Sequence, residues 1–183
     1  MYRLTEEQRR AAEALRDAEF PSEQGLPDEL FLLTSALVPL PNIDLLIVNG
    51  KGQLLLSRRC DRFFEHSWHI PGGCMRYGET FENRIQETAR KELGCEVRFE
   101  KEPVAVRNVL RGENRALTHP KERGHNVAIL FRCTLPESYQ PDNSGKTEDD
   151  AGYLRWFDRL PPDFMKLQFV YDDILTQWKE KQI

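Results

Sequence analysis

The sequence lacks the features that mark a disulfide-bonded or membrane-spanning chain. It has four cysteines among 183 residues, no two of them form a C-x-x-C pair, and no histidine stands at zinc-finger spacing from them. This spacing favours free thiols in a reducing compartment over disulfides or a structural zinc site. The longest apolar run, from Leu30 to Leu40, is too short to span a bilayer, and the polar N-terminus lacks the apolar core of a signal peptide. We therefore expect a cytoplasmic protein without membrane contact.

The sequence also lacks an excess of positive charge. The formal net charge is -4, with 31% charged and 39% hydrophobic residues, which is ordinary for a globular domain. A mildly acidic chain does not have the bulk electrostatics of a non-specific nucleic-acid binder, so we expect no nucleic-acid partner. The length fits one compact domain plus an extension.

The first residues predict a helical extension. Residues 3–19 place apolar side chains at helical spacing, and Thr5 is followed three residues later by Gln8, which is a capping-box pattern. Two prolines and a glycine between residues 21 and 27 then interrupt the chain. We expect this helix to pack on the domain or on a second subunit. The predicted division is an extension over residues 1–30 and a main domain over residues 31–183.

Strand patterns dominate from residue 43 onward and alternate with helices. Ile43–Val48 and Gln53–Ser57 are predicted as a hairpin around an Asn-Gly turn at Asn49. The pattern over residues 30–37 fits either a helix or a strand. Further strands are predicted at 96–99, 104–110, 126–134 and 154–157, and helices at 80–93 and about 163–179. This order predicts an α/β sandwich, in which helices cover a mixed sheet.

The most informative segment, residues 71–97, reads P-G-G-C-M-R-Y-G-E-T-F-E-N-R-I-Q-E-T-A-R-K-E-L-G-C-E-V. Gly72 and Gly73 precede the predicted helix, and glycine lets the backbone approach a ligand closely. Mg²⁺ prefers oxygen ligands, usually one or two carboxylates together with waters and substrate phosphates. Thr88 and Glu92 share one face of the helix, so this pair offers a single carboxylate.

This segment resembles the box of the Nudix hydrolases, G-x5-E-x7-R-E-U-x-E-E-x-G-U, where U is aliphatic. The matching positions are Gly73, Glu79, Ala89, Glu92 and Gly94, and Trp68 before the Pro-Gly-Gly run is also similar to the family. The departures are Glu87, Thr88, Lys91 and Cys95. The resemblance covers about residues 36–160 and implies a Nudix-like α/β/α sandwich with a mixed sheet and a metal-dependent hydrolase activity.

The loss of carboxylates at Thr88 and Lys91 is similar to that in one subfamily, the GDP-mannose mannosyl hydrolases. That subfamily splits the sugar C1–O bond rather than the P–O–P bridge and uses one magnesium ion. The segment 38–48 and the strand ending at Arg59 also look like the corresponding parts of that subfamily. The resemblance therefore implies a nucleoside-diphosphate sugar as substrate, Mg²⁺ with Mn²⁺ as an alternative ion, and a homodimer.

The resemblance also assigns site residues. The metal ligands would be the Gly72 carbonyl, Glu92 and Asp150, which stands where the subfamily has a glutamine ligand. Arg59 would contact the diphosphate leaving group, and Asp44 would hold the nucleotide or sugar side.

Two residues that the subfamily uses are missing from this chain. Ala151 stands in place of the general-base histidine, and Cys74 replaces an arginine that assists the leaving group. A positioned general base contributes roughly 100- to 10,000-fold to a rate, so either another group supplies it, or the reaction differs, or the site only binds. The candidates for that role are Asp149, Asp150, His119 and His125.

The loop over residues 108–125 and its flank are basic within an acidic protein. The cations are Arg107, Arg111, Arg115, Lys121 and Arg123. They predict either a phosphate clamp, in which Arg111 contacts the substrate, or a solvated loop with Glu113 and Glu122 as partners. The residues that we predict to be catalytic are Arg59, Asp150 and His125.

Three hypotheses follow for the function. The first is a single-magnesium hydrolase of a nucleoside-diphosphate sugar. The second is a pyrophosphohydrolase of another nucleoside diphosphate derivative that uses Glu79, Glu92 and Asp150. The third, which Cys74 and Ala151 favour, is a Nudix-like module that binds nucleotides without turning them over.

Overall fold

The computed structural model describes residues 3–18, 20, 25–61, 64–110 and 125–180, without the side chains of residues 64, 65, 179 and 180. The strands are β1 (Leu40–Ile47), β2 (Leu54–Asp61), β3 (Phe64–His69), β4 (Gly72–Cys74), β5 (Arg98–Phe99), β6 (Ala105–Val109), β7 (Asn126–Thr134) and β8 (Leu154–Phe157). The helices are α1 (Glu6–Arg16), α2 (Asp28–Leu37), α3 (Phe81–Leu93), a 3-10 helix (Lys166–Tyr171) and α4 (Asp172–Glu180). Within these ranges no helix is long and apolar enough to cross a membrane.

Two sheets form the centre of the molecule. The larger has the order β4-β1-β7-β5, and β6 also pairs with β7. β1 and β7 run parallel, whereas the other pairs in this sheet are antiparallel. The smaller sheet has the order β3-β2-β8 and is antiparallel. The predicted α/β sandwich with a mixed sheet is confirmed.

The predicted hairpin between β1 and β2 is wrong, although its turn is present. Asn49 N–H donates to Gln53 O at 3.0 Å, and Gly52 N–H donates to Asn49 O at 2.9 Å. Beyond this turn the two strands share only the isolated bridge between Val48 and Leu54. The physical reason is that β4 and β7 occupy both edges of β1, while β3 and β8 occupy both edges of β2.

Strand β1 is buried on both faces and separates two hydrophobic clusters. Ile43 and Leu45 pack in one cluster with Ile85 of α3. Leu46 belongs to the other cluster, which includes Tyr171 of the 3-10 helix. Because alternate residues of a strand face opposite sides, β1 lies between α3 on one face and the C-terminal segment on the other.

Helix α3 begins and ends where its local sequence predicts. The Thr80 side chain accepts a hydrogen bond from the N–H of Asn83, which caps the first turn. Gly94 ends the helix in the left-handed conformation, with φ of 72°. The carboxylate of Glu87 pairs with Arg90 at 2.5 Å, one turn along the helix.

The terminal segments differ in part from their predictions. α1 has the predicted capping box between Thr5 and Gln8, but none of its residues is buried. The apolar segment over residues 30–37 is helical and belongs to α2, so the proposed boundary at residue 30 lies inside this helix. The single helix predicted from 163 to 179 is a 3-10 helix followed by α4.

Candidate metal-binding and catalytic site

The register of β1 and β4 places Asp44 directly opposite Gly72. Leu45 N–H donates to Pro71 O at 2.8 Å, so the adjacent Asp44–Gly72 pair is a non-hydrogen-bonded pair of the antiparallel ladder. In such a pair the backbone N–H and C=O groups point away from the partner strand. Because β4 is an edge strand, these groups of Gly72 face the open edge of the sheet.

The last turn of α3 brings Glu92 to the same edge. Glu92 Oε1 accepts a hydrogen bond from Gly72 N–H at 3.2 Å. Burial raises the pKa of Glu92 to about 7, and the Gly72 hydrogen bond and the charge of Arg59 oppose that rise. The Asp44 carboxylate adds to the rise. A helix carboxylate and a glycine backbone therefore meet at one point of the sheet edge.

Asp44 is a buried acid held by three side-chain donors. It is 3% exposed. Its Oδ2 accepts from the Tyr171 hydroxyl at 2.7 Å, and its Oδ1 accepts from Asn42 Nδ2 at 2.9 Å and from Gln168 Nε2 at 3.3 Å. Burial raises the pKa of Asp44 to about 7, and the three hydrogen bonds lower it. The acid therefore changes its charge near neutral pH in the metal-free protein.

Only glycine fits at position 72. A Cβ atom there would lie 2.2 Å from Asp44 Oδ1 and 2.8 Å from the backbone oxygen of Ile43. Both distances are shorter than real carbon–oxygen contacts, and the second involves a backbone atom that cannot rotate away. The close approach of β4 to Asp44 thus depends on the missing side chain.

A cavity of about 60 Å³ lies beside these groups, and Asp44, Arg59, His69 and Gly72 are among its lining residues. Arg59 Nε donates to Asp61 Oδ2 at 2.7 Å. His69 Nδ1 lies 2.9 Å from the Ile70 carbonyl, which can only accept, so Nδ1 carries the proton. Burial, followed by the charge of Arg59, lowers the pKa of His69 to about 3. The cavity therefore contains a neutral imidazole whose Nε2 is an acceptor.

The structure brings together four of the residues that the sequence assigned to the site. Asp44, Arg59 and Gly72 line the same cavity, and Glu92 is hydrogen-bonded to Gly72. Arg111 and His119 lie outside the described residues.

Asp150 and His125 lie elsewhere. Asp150 is exposed, and its Oδ2 accepts from the N–H and the hydroxyl of Thr147 at 2.6 and 2.8 Å. These hydrogen bonds lower the pKa of Asp150. His125 Nε2 lies 3.3 Å from Asn108 Oδ1, in a hollow beside Leu110. Neither residue is among those that line the cavity beside Gly72, so their predicted roles at this site have no support in its geometry.

The other charged candidates make structural ion pairs. Asp149 lies 3.7 Å from Arg58 on β2. Arg107, the one cation of the predicted phosphate clamp within the described residues, donates to Asp173 of α4 at 2.8 Å. The remaining clamp residues lie outside the described ranges. A phosphate clamp in this loop therefore stays a prediction.

Glu79 and Thr88 do not add a carboxylate to Glu92. Glu79 accepts from Arg84 Nη2 at 2.6 Å and from the N–H of Arg76 at 2.7 Å, which fixes the loop before α3. Thr88 is 3% exposed, and its hydroxyl has no hydrogen-bond partner among the described residues. Glu92 is therefore the acid of α3 that reaches Gly72.

The donors fit one divalent cation. In the part of the chain that the structure describes, no group of three or more His, Cys, Asp or Glu side chains could hold a metal ion. The Glu92 carboxylate and the Gly72 carbonyl are oxygen donors at the open edge of β4, and Asp44 lies behind Gly72. This small set suits Mg²⁺, which keeps waters and substrate phosphates among its ligands. Burial is the main cause of the raised pKa of both acids, and the charge of Arg59 opposes it.

Sequence reasoning missed several residues of the cavity, among them His69, Gln168 and Tyr171. Gln168 and Tyr171 are 124 and 127 positions from Asp44 in the chain, so no local pattern connects them to it. His69 carries a weak signal in the sequence, because it stands three residues before Gly72 of the glycine loop. Its buried neutral state depends on the fold.

A mixed α/β sandwich with a glycine loop, and a following helix that returns a carboxylate to that loop, fits a metal-binding hydrolase. A sequence model of the NUDIX domain matches residues 38–165. The chain belongs to the Nudix hydrolase family.

Curated relatives match over a shorter stretch. RNA pyrophosphohydrolase from Erwinia tasmaniensis is 37% identical over 71 residues, which is 39% of each chain. Low-salt glycan biosynthesis protein Agl8 from Haloferax volcanii is 32% identical over 75 residues, which is 41% of this chain and 47% of that protein. The match thus spans less than half the length of these relatives.

Solved structures support the fold. The MutT protein from Methanosarcina mazei Go1 aligns with a TM-score of 0.55 and 16% identity over 78% of this chain and 95% of its own. A structure described as UDP-X diphosphatase aligns with a TM-score of 0.54 and 18% identity over 100% of this chain and 87% of its own. At these identities the likeness concerns the fold alone.

Proposed function

We propose that the chain is a divalent-metal-dependent hydrolase of a nucleoside-diphosphate sugar, similar in its chemistry to the GDP-mannose mannosyl hydrolases. The observation that carries this proposal is the meeting of Glu92 with Gly72 while Thr88 and Lys91 supply no further carboxylate. One ion at a diphosphate fits such a donor set, whereas a multi-ion cluster does not. The glycan-related name of the Haloferax relative supports a sugar-containing substrate.

The proposed roles follow from the contacts. Glu92 and the Gly72 carbonyl would hold Mg²⁺ or Mn²⁺, which supplies positive charge to the diphosphate of the substrate. Arg59, on the wall of the cavity, would contact the departing diphosphate. Asp44 holds its position through Tyr171 and Gln168 and would accept hydrogen bonds from the sugar side.

We also retain three residue roles and a domain division that the geometry of the site does not support. Asp150 as a third ligand and His125 as a proton acceptor would both require a different arrangement of their loops when substrate binds. Arg111 as a substrate contact lies outside the described residues. The division into an extension over 1–30 and a Nudix domain over 31–183 is likewise a proposal.

The products of a nucleotide-sugar digest test the proposal. Purified protein with Mg²⁺ is incubated with GDP-mannose and with other nucleoside-diphosphate sugars in water enriched in ¹⁸O. Cleavage of the C1–O bond yields free sugar that carries the label and an unlabelled nucleoside diphosphate. Cleavage of the bridge yields a nucleoside monophosphate and a sugar phosphate, with the label on phosphorus. A protein that hydrolyses none of these substrates contradicts the proposal.

A second candidate is a pyrophosphohydrolase, which the match to the Erwinia RNA pyrophosphohydrolase favours. The same assay with nucleoside triphosphates and a 5′-triphosphorylated oligoribonucleotide tests it. Release of pyrophosphate from these substrates, without release of sugar from any nucleotide sugar, decides for this candidate.

We further propose a homodimer that uses the N-terminal extension. Leu4 and Leu15 of the α1 segment are 47% and 39% exposed, and α1 buries none of its residues within the chain. Light scattering after gel filtration measures the mass. A monomeric mass at micromolar concentration rules the dimer out.

A further inference from the structure

We propose that the cleft between the N-terminal helices and the glycine loop binds the nucleotide end of the substrate. This inference rests on the proposed function, because it names the part of a nucleoside-diphosphate sugar that the cleft would take. The cleft is separate from the small cavity beside Asp44.

The size of the cleft fits a nucleotide. Its volume is about 680 Å³, within the range of roughly 300–1,000 Å³ that is typical of small-molecule sites. Leu26 and Phe31 of the N-terminal region form one wall, and Gly73 and Met75 of the loop form the other. Most of this N-terminal wall precedes residue 38, where the NUDIX match begins.

The charge of the cleft favours an anion. Arg76, Arg84 and Lys91 line it, and no Asp or Glu is among its described lining residues. Three cations line this wall although the chain as a whole has a net charge of -4, and one of them, Arg84, is paired with Glu79. Phosphate groups are the ligands that such a group of cations attracts.

Lys91 is the cation that is free to bind. Arg84 is 7% exposed and already paired with Glu79. Lys91 is exposed, and it makes no hydrogen bond or ion pair with any residue that the structure describes. Its position is one at which the family box has a glutamate. The exchange of an acid for a cation removes a repulsive charge from this wall and adds an attractive one.

The cleft also offers a surface for a flat ring. Tyr77 is 96% exposed and lies among the lining residues with Phe20 and Phe31. Aromatic side chains at the mouth of an anion site allow a nucleobase to stack. An aromatic wall together with cations points to a nucleotide rather than to inorganic phosphate alone.

Two residues that line the cleft are sequence neighbours of the proposed metal donors. Gly73 and Lys91 line it, and they directly follow and precede Gly72 and Glu92 in sequence. The Cβ position of Gly73 lies 3.3 Å from Thr88 Oγ1 of α3, whereas that of Gly72 faces Asp44. The cleft therefore begins one residue along the loop from Gly72, where we propose that the diphosphate binds.

Equilibrium binding to the full chain tests the inference. Isothermal titration calorimetry in Mg²⁺ measures the dissociation constants of GDP, ADP, CDP, UDP and inorganic pyrophosphate. For Lys91→Gln we expect weaker binding of the preferred nucleoside diphosphate and of pyrophosphate by about tenfold, because a charged hydrogen bond is lost. Lys91→Glu weakens both further. Lys101→Gln, which removes an exposed lysine outside the cleft, leaves both unchanged.

A second variant separates the base from the phosphates. Tyr77→Ala removes an exposed ring and should weaken nucleoside diphosphate binding about fivefold while pyrophosphate binding stays the same. Tyr77→Phe should retain the wild-type affinity. Unchanged nucleotide affinity in both Lys91→Glu and Tyr77→Ala overturns the inference.

The binding test and the turnover test can fail independently. Nucleoside diphosphates that bind with the expected sensitivities, without hydrolysis of any nucleotide sugar, support the cleft and contradict the proposed function. Hydrolysis with a KM that is unchanged by Lys91→Glu and Tyr77→Ala supports the function and contradicts the cleft.

Discussion

The two faces of the glycine loop carry opposite chemistry. Gly72 faces a small cavity with the buried acid Asp44 and the neutral imidazole of His69. Gly73 faces α3 and a tenfold larger cleft that contains cations and apolar walls. Adjacent residues of a strand point to opposite sides, so one short strand can serve both regions. Asp44 and His69 thus lie with Arg59 on one side of the loop, whereas Arg76, Arg84 and Lys91 line the other side.

Of the substitutions that distinguish the two regions, one at Glu92 should have the largest effect on the rate of hydrolysis. Glu92→Gln removes the charged donor beside Gly72, and we expect hydrolysis to fall by about 100-fold or more, as for the loss of other preorganised electrostatic contacts. Initial rates over a range of Mg²⁺ concentrations measure the effect. The matched control is Glu87→Gln, which changes an exposed acid paired with Arg90 on the same helix. Equal rates for Glu92→Gln and wild type would falsify the metal-donor role.

The two glycines of the loop should tolerate a methyl group unequally. Gly72→Ala places Cβ 2.2 Å from Asp44, and Gly73→Ala places it 3.3 Å from Thr88. We expect Gly72→Ala to lower the free energy of unfolding by about 3 kcal/mol and Gly73→Ala by about 1 kcal/mol or less. Urea unfolding measures both, with Gly50→Ala as the control because nothing lies within 4 Å of its added atom. Equal losses at 72 and 73 would contradict the close approach of β4 to Asp44.

The donors behind Gly72 should contribute to stability. Tyr171→Phe removes the hydroxyl that donates to Asp44 Oδ2 and leaves a buried acceptor without that partner. We expect the free energy of unfolding to fall by about 1–2 kcal/mol, measured by urea titration at pH 7. Tyr77→Phe, at the exposed rim of the cleft, is the matched control and should change nothing. A Tyr171→Phe protein as stable as wild type would show that this hydrogen bond makes no net contribution to the free energy of unfolding.

The last effect should be a pH dependence of the stability that comes from His69. Its pKa is lowered to about 3 in the folded chain, below the usual value of about 6.5. As pH falls below that value the unfolded chain takes up a proton that the folded chain does not, so stability is lost between pH 6.5 and 3. In His69→Asn this loss should be smaller by up to about 1.4 kcal/mol per pH unit. Urea unfolding at pH 7, 6 and 5 measures the slope.

The control for that experiment is His66→Gln, because His66 is exposed on β3 and should leave the slope unchanged. Asp44 and Glu92 titrate in all three proteins, so their contribution cancels in the comparison. Identical slopes for His69→Asn and wild type would show that His69 is not held neutral by the fold.

Local sequence patterns predicted the helices and strands better than they predicted which strands pair. The cap at Thr80, the stop at Gly94 and the strand 154–157 depend on neighbouring residues, and the structure confirms them. The Asn49 turn predicted that β1 pairs with β2, and this prediction was wrong. The partner of a strand depends on which of its faces can be buried. A turn sequence contains no information about the competing strands.

The same limit applies to the site. Gly72, Glu92, Asp44 and Arg59 were predictable because a family resemblance assigns them, and they lie close together. Asp150 stands where the subfamily has a glutamine ligand, but in the fold its carboxylate accepts a hydrogen bond from Thr147. The partners of Asp44 come from the far end of the chain and follow no motif.

The contacts of Gln168 affect where the C-terminal boundary of a recombinant protein should be placed. Its amide donates to the carbonyl of Ile70 and to Asp44, and it accepts from the N–H of Ile70, so it joins the glycine loop to β1. The homology to the NUDIX domain ends at residue 165, just before it. A recombinant product trimmed at that border would lose two of the three described donors to Asp44. The end of homology is therefore not the end of the cooperative unit.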